Sequence, residues 1–328
     1  MEICKSMWKN KRVLVTGGSG FIGQNLVRDL LSKGAYVKVI DCDSQMTKKF
    51  PEYPVNMPDS RLTLSYTDFT AYPGDFVSFE PDYIFHLAAD VGGIKYLLEN
   101  QQKVFYNNLH ITMAVLQEAK KCANLKGFLF MSSACVYPVT GGNTITEKDM
   151  LPANPHSLYG WSKLCGELLV KSSQLPSVSV RMTNVYGPYE HFIGEHSHVI
   201  PSLMLKILNN PGIIAMYGSG EQERDFIYVT DAVAGMQSAI RYITDGSAVN
   251  IATGTGYTIN LIAKLLMRIM NTYPDIYHDL KSPEGEQYRS LSYNKLHSLT
   301  GWAPEISIEE GLLLLHAWAV RNIPEFSQ

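Results

Sequence analysis

Short β-branched runs alternate with longer stretches of helical periodicity through the first half of the chain. This is the pattern of βαβ units laid on a parallel sheet. It predicts strands at 12–16, 36–41, 62–66, 83–87, 127–132 and 178–182. Leu26, Leu30 and Leu31 share one face of a helix predicted over 21–33, and Gly34 follows where a helix end favours a left-handed residue. Further helices are predicted at 104–121 and 158–173. Past about Asn184 the pattern loosens, with a break at Gly187-Pro188 and a loop carrying histidines. Helices are then predicted at 199–209, 231–242, 259–270 and 308–321, with strands at 214–217 and 248–251. The expected fold is α/β. A Rossmann-type doubly wound parallel sheet spans 1–184, and a smaller C-terminal α/β substrate-binding domain spans 185–328, with some segments returning to the first core.

Composition narrows this only slightly. The chain has 328 residues, 45% of them apolar and 18% charged, which suits a globular protein with a well-buried core. A formal charge of −3 offers no general attraction to nucleic acid or anionic membranes, so phosphate groups must be met by loop amides or single arginines. No basic run interleaved with aromatics marks a nucleic-acid surface. Cys4, Cys42, Cys122, Cys135 and Cys165 form no C-x-x-C pair, which points to reduced thiols. The first twelve residues lack the apolar run of a signal peptide, and no stretch nears the roughly 20 apolar residues of a membrane span. A cytoplasmic location is expected.

Chemistry enters at Thr16-Gly17-Gly18-Ser19-Gly20-Phe21-Ile22-Gly23, between the first strand and the first helix. Gly17, Gly20 and Gly23 remove Cβ atoms where backbone must approach a pyrophosphate, and the helix start offers unpaired amides. Asp41 ends the second strand, where a carboxylate meets adenosine ribose hydroxyls and repels a 2′-phosphate. The expected cofactor is therefore NAD.

Tyr159 and Lys163 stand at i and i+4 on one helix face, so an ammonium can stabilise a phenolate base. They follow Ser132-Ser133 at the end of a predicted strand. With the glycine turn, this set resembles the extended short-chain dehydrogenase/reductase family, or NAD-dependent epimerase/dehydratases, over nearly the whole chain. His86-Leu87-Ala88-Ala89, Asn184-Val185-Tyr186-Gly187-Pro188, Arg224-Asp225-Phe226-Ile227-Tyr228-Val229 and Gly301-Trp302-Ala303-Pro304 are similar to that family's motifs, in order. The resemblance implies Ser133, Tyr159 and Lys163 as the catalytic triad. It implies Phe21, Ile22, Asp68, Ala88 and Ala89 beside the cofactor, with Gly17, Gly20, Gly23 and Asp41. His86 is read as a core histidine.

Two segments narrow the resemblance. Ser133-Ala134-Cys135-Val136-Tyr137 and Ala89-Asp90-Val91-Gly92-Gly93 are similar to GDP-mannose 3,5-epimerases and GDP-fucose synthases. His196-Ser197-His198-Val199-Ile200-Pro201 resembles the GDP-fucose synthase segment whose histidine partners the cysteine, so His198 is the matching position. A thiolate and an imidazole suit proton transfer at carbons flanking a 4-keto group. The chain departs from both patterns: GDP-mannose 3,5-epimerases carry a lysine at the place of His198, and Asp41 disfavours the NADPH of a GDP-fucose synthase. Cys135 reads equally as a small buried residue. His191, His196 and His198 read as solvated loop residues before they read as metal ligands, and no metal is expected.

By the same resemblance, Arg224 and Arg289 pair with a substrate diphosphate, while Gly92, Gly93, Asn184 and His198 touch the sugar. The expected activity is a nucleotide-sugar epimerase working through a transient 4-keto sugar, at C3 and/or C5 of a GDP-sugar. A 4-epimerase, a 3,5-epimerase/4-reductase and a non-catalytic NAD sensor are the alternatives. The helices near Tyr106–Lys121 and Tyr159–Leu169 pair across a homodimer in the family, although the stripe of Ile111, Val115 and Leu116 serves a core equally well.

Overall fold

The structure, a computed structural model, describes residues 7–57, 60–72, 74–138, 144–150, 152–194, 197–282 and 287–326. Cys4, His196 and the segment 283–286 before Arg289 lie outside the described residues.

The first half builds β1 (Arg12–Thr16), α1 (Phe21–Ser32), β2 (Tyr36–Asp41), β3 (Leu62–Tyr66) and β4 (Tyr83–His86). The helices α2 (Ile94–Glu99) and α3 (Gln101–Ala119) follow, then β5 (Gly127–Ser133), α4 (Leu158–Ser172) and β6 (Ser177–Met182). Successive side chains of a strand point to opposite faces, and here both faces are covered. Val13, Val15, Val37 and Val39 pack under α1 and share their layer with Leu129 and Met131, whereas Leu14, Ile40, Ile84, Phe128 and Phe130 pack under α3 and α4. Two covered faces explain why these strands read as continuous apolar runs instead of alternating ones.

The sheet has seven parallel strands, and its last member arrives late. Past β6 the chain leaves through β7 (Asn184–Tyr186), α5 (Val199–Asn209), β8 (Ile213–Tyr217) and β9 (Glu223–Tyr228). It returns by α6 (Val229–Tyr242) to lay β10 (Asp245–Ile251) against β6, completing the order β10-β6-β5-β4-β1-β2-β3. The order reverses between β1 and β4, the switch point where ligands bind at carboxyl ends of such sheets. Within this core, Arg181 of β6 and Glu167 of α4 form a two-pronged buried ion pair at 2.9 and 2.7 Å, shared with Tyr137 and Ser132.

The remaining elements are β11 (Gly256–Thr258), α7 (Ile259–Met270), β12 (Asp275–Asp279), β13 (Tyr288–Arg289), α8 (Asn294–Thr300) and α9 (Ile308–Asn322). Strands β11, β9 and β13 form a small sheet that β7 joins through β9, and β12 pairs with β8. Ile200, Leu203 and Met204 of α5 meet Ile262 and Leu266 of α7 and Leu312 and Leu315 of α9 in a second core. The predicted elements reappear with their ends shifted by a few residues; α6 begins at Val229, two residues early, and α3 begins three residues early. Among the described residues, no helix is long and apolar enough to cross a membrane.

Candidate active site

The carboxyl ends of the central strands open onto one cleft of about 1220 Å³ that reaches the small sheet. All the predicted site residues line it except Gly93. Gly93 instead takes extended backbone at the N-cap of α2, where it starts the helix and leaves the wall to Gly92.

At the β1–α1 turn, helix α1 starts at Gly20 with no side-chain cap and no acidic residue in its first turn. Its first N–H groups and positive dipole end are thus left for an anion. Gly23 is needed for close approach, since a Cβ there would lie 2.3 Å from the Gly17 carbonyl oxygen. The Asp41 carboxylate accepts from Ser19 N at 2.9 Å and Asp43 N at 3.1 Å, which holds it under the turn. Lys49 closes that end, reaching the Ser19 carbonyl and pairing with Asp43 at 2.7 Å. Asp68 accepts from the Thr70 hydroxyl and backbone N–H, which hold its carboxyl below the usual range. An open helix start, a wall without Cβ at Gly20 and a carboxylate at the end of β2 together fit NAD.

At the other end, Ser133 closes β5 and caps the helical turn Ala134–Val136, its hydroxyl accepting from Cys135 N at 3.1 Å. Helix α4 begins beside that turn, capped by Ser157, whose hydroxyl accepts from Gly160 N. A Cβ at Gly160 would lie 2.2 Å from the Cys135 carbonyl oxygen, so glycine lets the cysteine turn rest on the first turn of α4. Tyr159 and Cys135 are thereby brought to one wall. Lys163, one turn on, is buried and donates to the Met131 carbonyl at 2.9 Å, its ammonium 5.8 Å from the centre of the Tyr159 ring. Burial lowers Lys163 to about 8, against a smaller opposing pull from Cys135. Tyr159 is pushed up by burial and then by Cys135, opposed by a hydrogen bond with Ser133. The Lys163 ammonium is thus engaged by a backbone carbonyl, and burial is the larger influence on the Tyr159 phenol.

Arg289 has a place beyond the one sequence resemblance implies. It pairs in register with Arg224 across β13 and β9, and both arginines line the cleft wall. Its Nη1 also donates to Cys135 Sγ at 3.1 Å. His198 forms the N-cap of α5, and its Nδ1 lies 2.7 Å from Glu190 Oε1. Burial pulls the imidazole down, but the hydrogen bond and charge of Glu190 outweigh it and the net shift is upward. Burial drives the Glu190 carboxyl up, with His198 opposing.

The model of the NAD dependent epimerase/dehydratase family matches residues 13–252. The chain belongs to that family. It is 28% identical over 326 residues to GDP-mannose 3,5-epimerase 1 of Oryza sativa subsp. indica, covering 95% of this chain and 82% of the relative. It is 27% identical over 336 residues to GDP-L-fucose synthase of Escherichia coli K12, covering 96% and 98% of the two chains. Among solved structures, an epimerase from the methanogen Methanothermobacter thermautotrophicus superposes with a TM-score of 0.87 at 26% identity, covering 97% of this chain and 94% of the other.

This epimerase/dehydratase-family chain also has site features that the sequence does not advertise. Asp90 accepts from the Tyr96 hydroxyl at 2.6 Å and from Asn107 at 2.8 Å, bracing the glycine turn at Gly92. Glu190 carries no motif at all, yet it meets His198, eight residues on. Lys95 is exposed and paired with Glu99 at 3.9 Å. His86 is buried, with Nδ1 2.8 Å from the Thr16 hydroxyl, and it belongs to the core. Among the described residues, no three His, Cys, Asp or Glu side chains are grouped to hold a metal.

Proposed function

We propose that this family member is a redox-neutral nucleotide-sugar epimerase that inverts C3 and/or C5 of a GDP-sugar through a transient 4-keto sugar. The observation that carries the reading is the seating of Cys135, packed against the Tyr159 helix and touched by Arg289, in the same cleft as His198. When bound, NAD supplies a reversible acceptor for the C4 hydride. Tyr159, bonded to Ser133, takes the proton of the C4 hydroxyl, and Lys163 holds positive charge near its ring. The carbons flanking the new ketone become acidic. Cys135 removes a proton from one face, and His198 returns one from the other. Arg224 and Arg289 carry the diphosphate, for which paired guanidinium groups are suited. Exposed apolar side chains on α3 and α4, namely Tyr106, Met113, Trp161 and Leu168, support a homodimer across those helices.

The test is incubation in D2O with a panel of GDP-, UDP- and dTDP-hexoses, followed by proton NMR and mass spectrometry. Deuterium at C3 or C5 with no net NADH, lost in Cys135→Ser, with inversion lost in His198→Asn, is the expected result. Inversion at C4 without deuterium uptake would identify a 4-epimerase and refute the reading. Stoichiometric consumption of reduced cofactor would identify a reductase.

A further inference from the structure

Glu190 has no part in the chemistry above, yet the fold goes to some length to hold it. Its side chain is 1% exposed, and Oε2 has no hydrogen-bond partner. A buried carboxylate oxygen without a partner is costly, so such a group persists where its other oxygen is strongly engaged. That engagement is the 2.7 Å contact with His198 Nδ1, with the Gly187 backbone N–H a smaller influence on the same carboxyl.

The backbone around it is braced from two sides. Asn25 of α1 donates to the Pro188 carbonyl at 2.9 Å, and the Arg28 guanidinium lies 4.0 Å from the centre of the Tyr189 ring. Trp318 of α9 meets the same ring edge-on at 5.3 Å. Tyr189 itself takes a left-handed φ of 68°, a conformation that a non-glycine residue keeps only when its surroundings impose it. Glu190 is the next residue, so the carboxylate is fixed from below. The imidazole it holds is 48% exposed on the cleft side, and among the described residues Nε2 has no hydrogen-bond partner.

We propose that Glu190 is a positioning residue, whose bond to Nδ1 locks the His198 ring with Nε2 facing the sugar as the proton donor. The inference rests on His198 acting as the acid in the reading above. In the step itself, the Cys135 thiolate breaks the sugar C–H bond and forms S–H. The resulting enediolate carbon then takes the Nε2 proton, leaving a neutral imidazole whose Nδ1–H still points at Glu190. His198 regains a proton from water and Cys135 returns one, so the balance closes without a co-reactant. Among the described residues, Glu190 is the charged group that acts on His198. Lys206, on the same helix, is turned to the Ala215 carbonyl at 2.8 Å and to the Tyr217 ring.

The experiment uses the full chain as Glu190→Gln and Glu190→Asp. The His198 ring is titrated by NMR on isotope-labelled histidine, with His198→Asn for assignment. Loss of the carboxylate charge is expected to move the His198 midpoint to lower pH by about one unit and to shift the neutral ring away from the Nδ1–H tautomer. With the sugar substrate, Glu190→Gln is expected to keep deuterium wash-in with retention, because Cys135 is intact. Inversion falls on the order of 100-fold, and Glu190→Asp restores part of it. An unchanged His198 midpoint and tautomer in Glu190→Gln overturns the proposal, as does an unchanged inversion rate. If Glu190→Gln does not fold, Glu190→Asp decides by the same titration, with a smaller shift supporting the proposal and none overturning it. If the wild type takes up no deuterium at C3 or C5, the epimerase reading fails, and the titration still decides whether Glu190 governs His198.

Discussion

Gly20 and Gly23 lie three residues apart in one turn, and the structure gives them separable duties. Alanine at 23 puts a methyl carbon 2.3 Å from the Gly17 carbonyl oxygen and 2.6 Å from Gly18 Cα. Relaxed heavy-atom contacts lie about 3.5 Å apart, so helix α1 must retreat by about 1 Å. Both obstacles are backbone and cannot rotate aside. Overpacking of this kind costs about 1–3 kcal/mol. At about 2 °C per kcal/mol for a chain of this length, Tm falls by about 2–6 °C. Alanine at 20 meets a single atom within 4 Å, the Gly17 oxygen at 3.3 Å, and the residue already has an ordinary φ of −71°. Its cost to the fold stays under about 1 kcal/mol. Its methyl, however, fills the open space above the helix start where the pyrophosphate is expected, so NAD affinity falls at least about tenfold, or ~1.4 kcal/mol. Thermal unfolding and calorimetric NAD titration of both variants separate the two effects. Gly20→Ala binding NAD as tightly as the wild type would refute the assignment of the anion site. Gly23→Ala unfolding at the wild-type temperature would refute the packing argument.

Other perturbations follow from the same geometry. Asp41→Asn keeps an acceptor for Ser19 N but removes the charge that repels a 2′-phosphate; the NADP-to-NAD affinity ratio is expected to rise about tenfold or more, measured by titration with each cofactor. His86 is lowered to about 3 by burial and by the Lys163 charge. The unfolded chain therefore takes up a proton below pH 6.5 that the folded chain refuses until about pH 3, and stability falls with pH in that window by up to ~1.4 kcal/mol per unit. Urea unfolding of His86→Gln between pH 7 and 4.5 should show a shallower slope than the wild type, and an equal slope contradicts a neutral buried imidazole. Leu168→Asp places a charge on the exposed apolar face of α4 and is expected to leave a monomer by light scattering, with the wild type a dimer; two species of equal mass remove the homodimer.

Much of the sheet was legible because its strands are buried on both faces and stand apart as unbroken apolar runs between helices of clear period. The placement of the Tyr159–Lys163 face and the Gly17–Gly23 turn on the cleft was legible for a related reason: each is set by short, local spacing. The two-residue β13 and three-residue β7 and β11 are too short to show a period, and α2 buries no residue that would mark a face. Glu190 and the contact between Arg289 and Cys135 were invisible because each is made by residues from separate elements, eight and 154 positions apart. Gly93 shows the opposite failing, since a doubled glycine cannot reveal which member faces the cleft and which starts the helix.

Strand β6 sits between β5 and β10, and that arrangement sets a schedule for synthesis. All six of its residues are buried in the finished sheet, yet its outer neighbour begins about sixty residues downstream. At about 5–20 residues per second, a ribosome leaves that apolar edge without its partner for several seconds. During that interval the nascent chain presents an unpaired strand of the kind that recruits chaperones or neighbouring chains. A gene truncated near codon 184 would make that interval permanent.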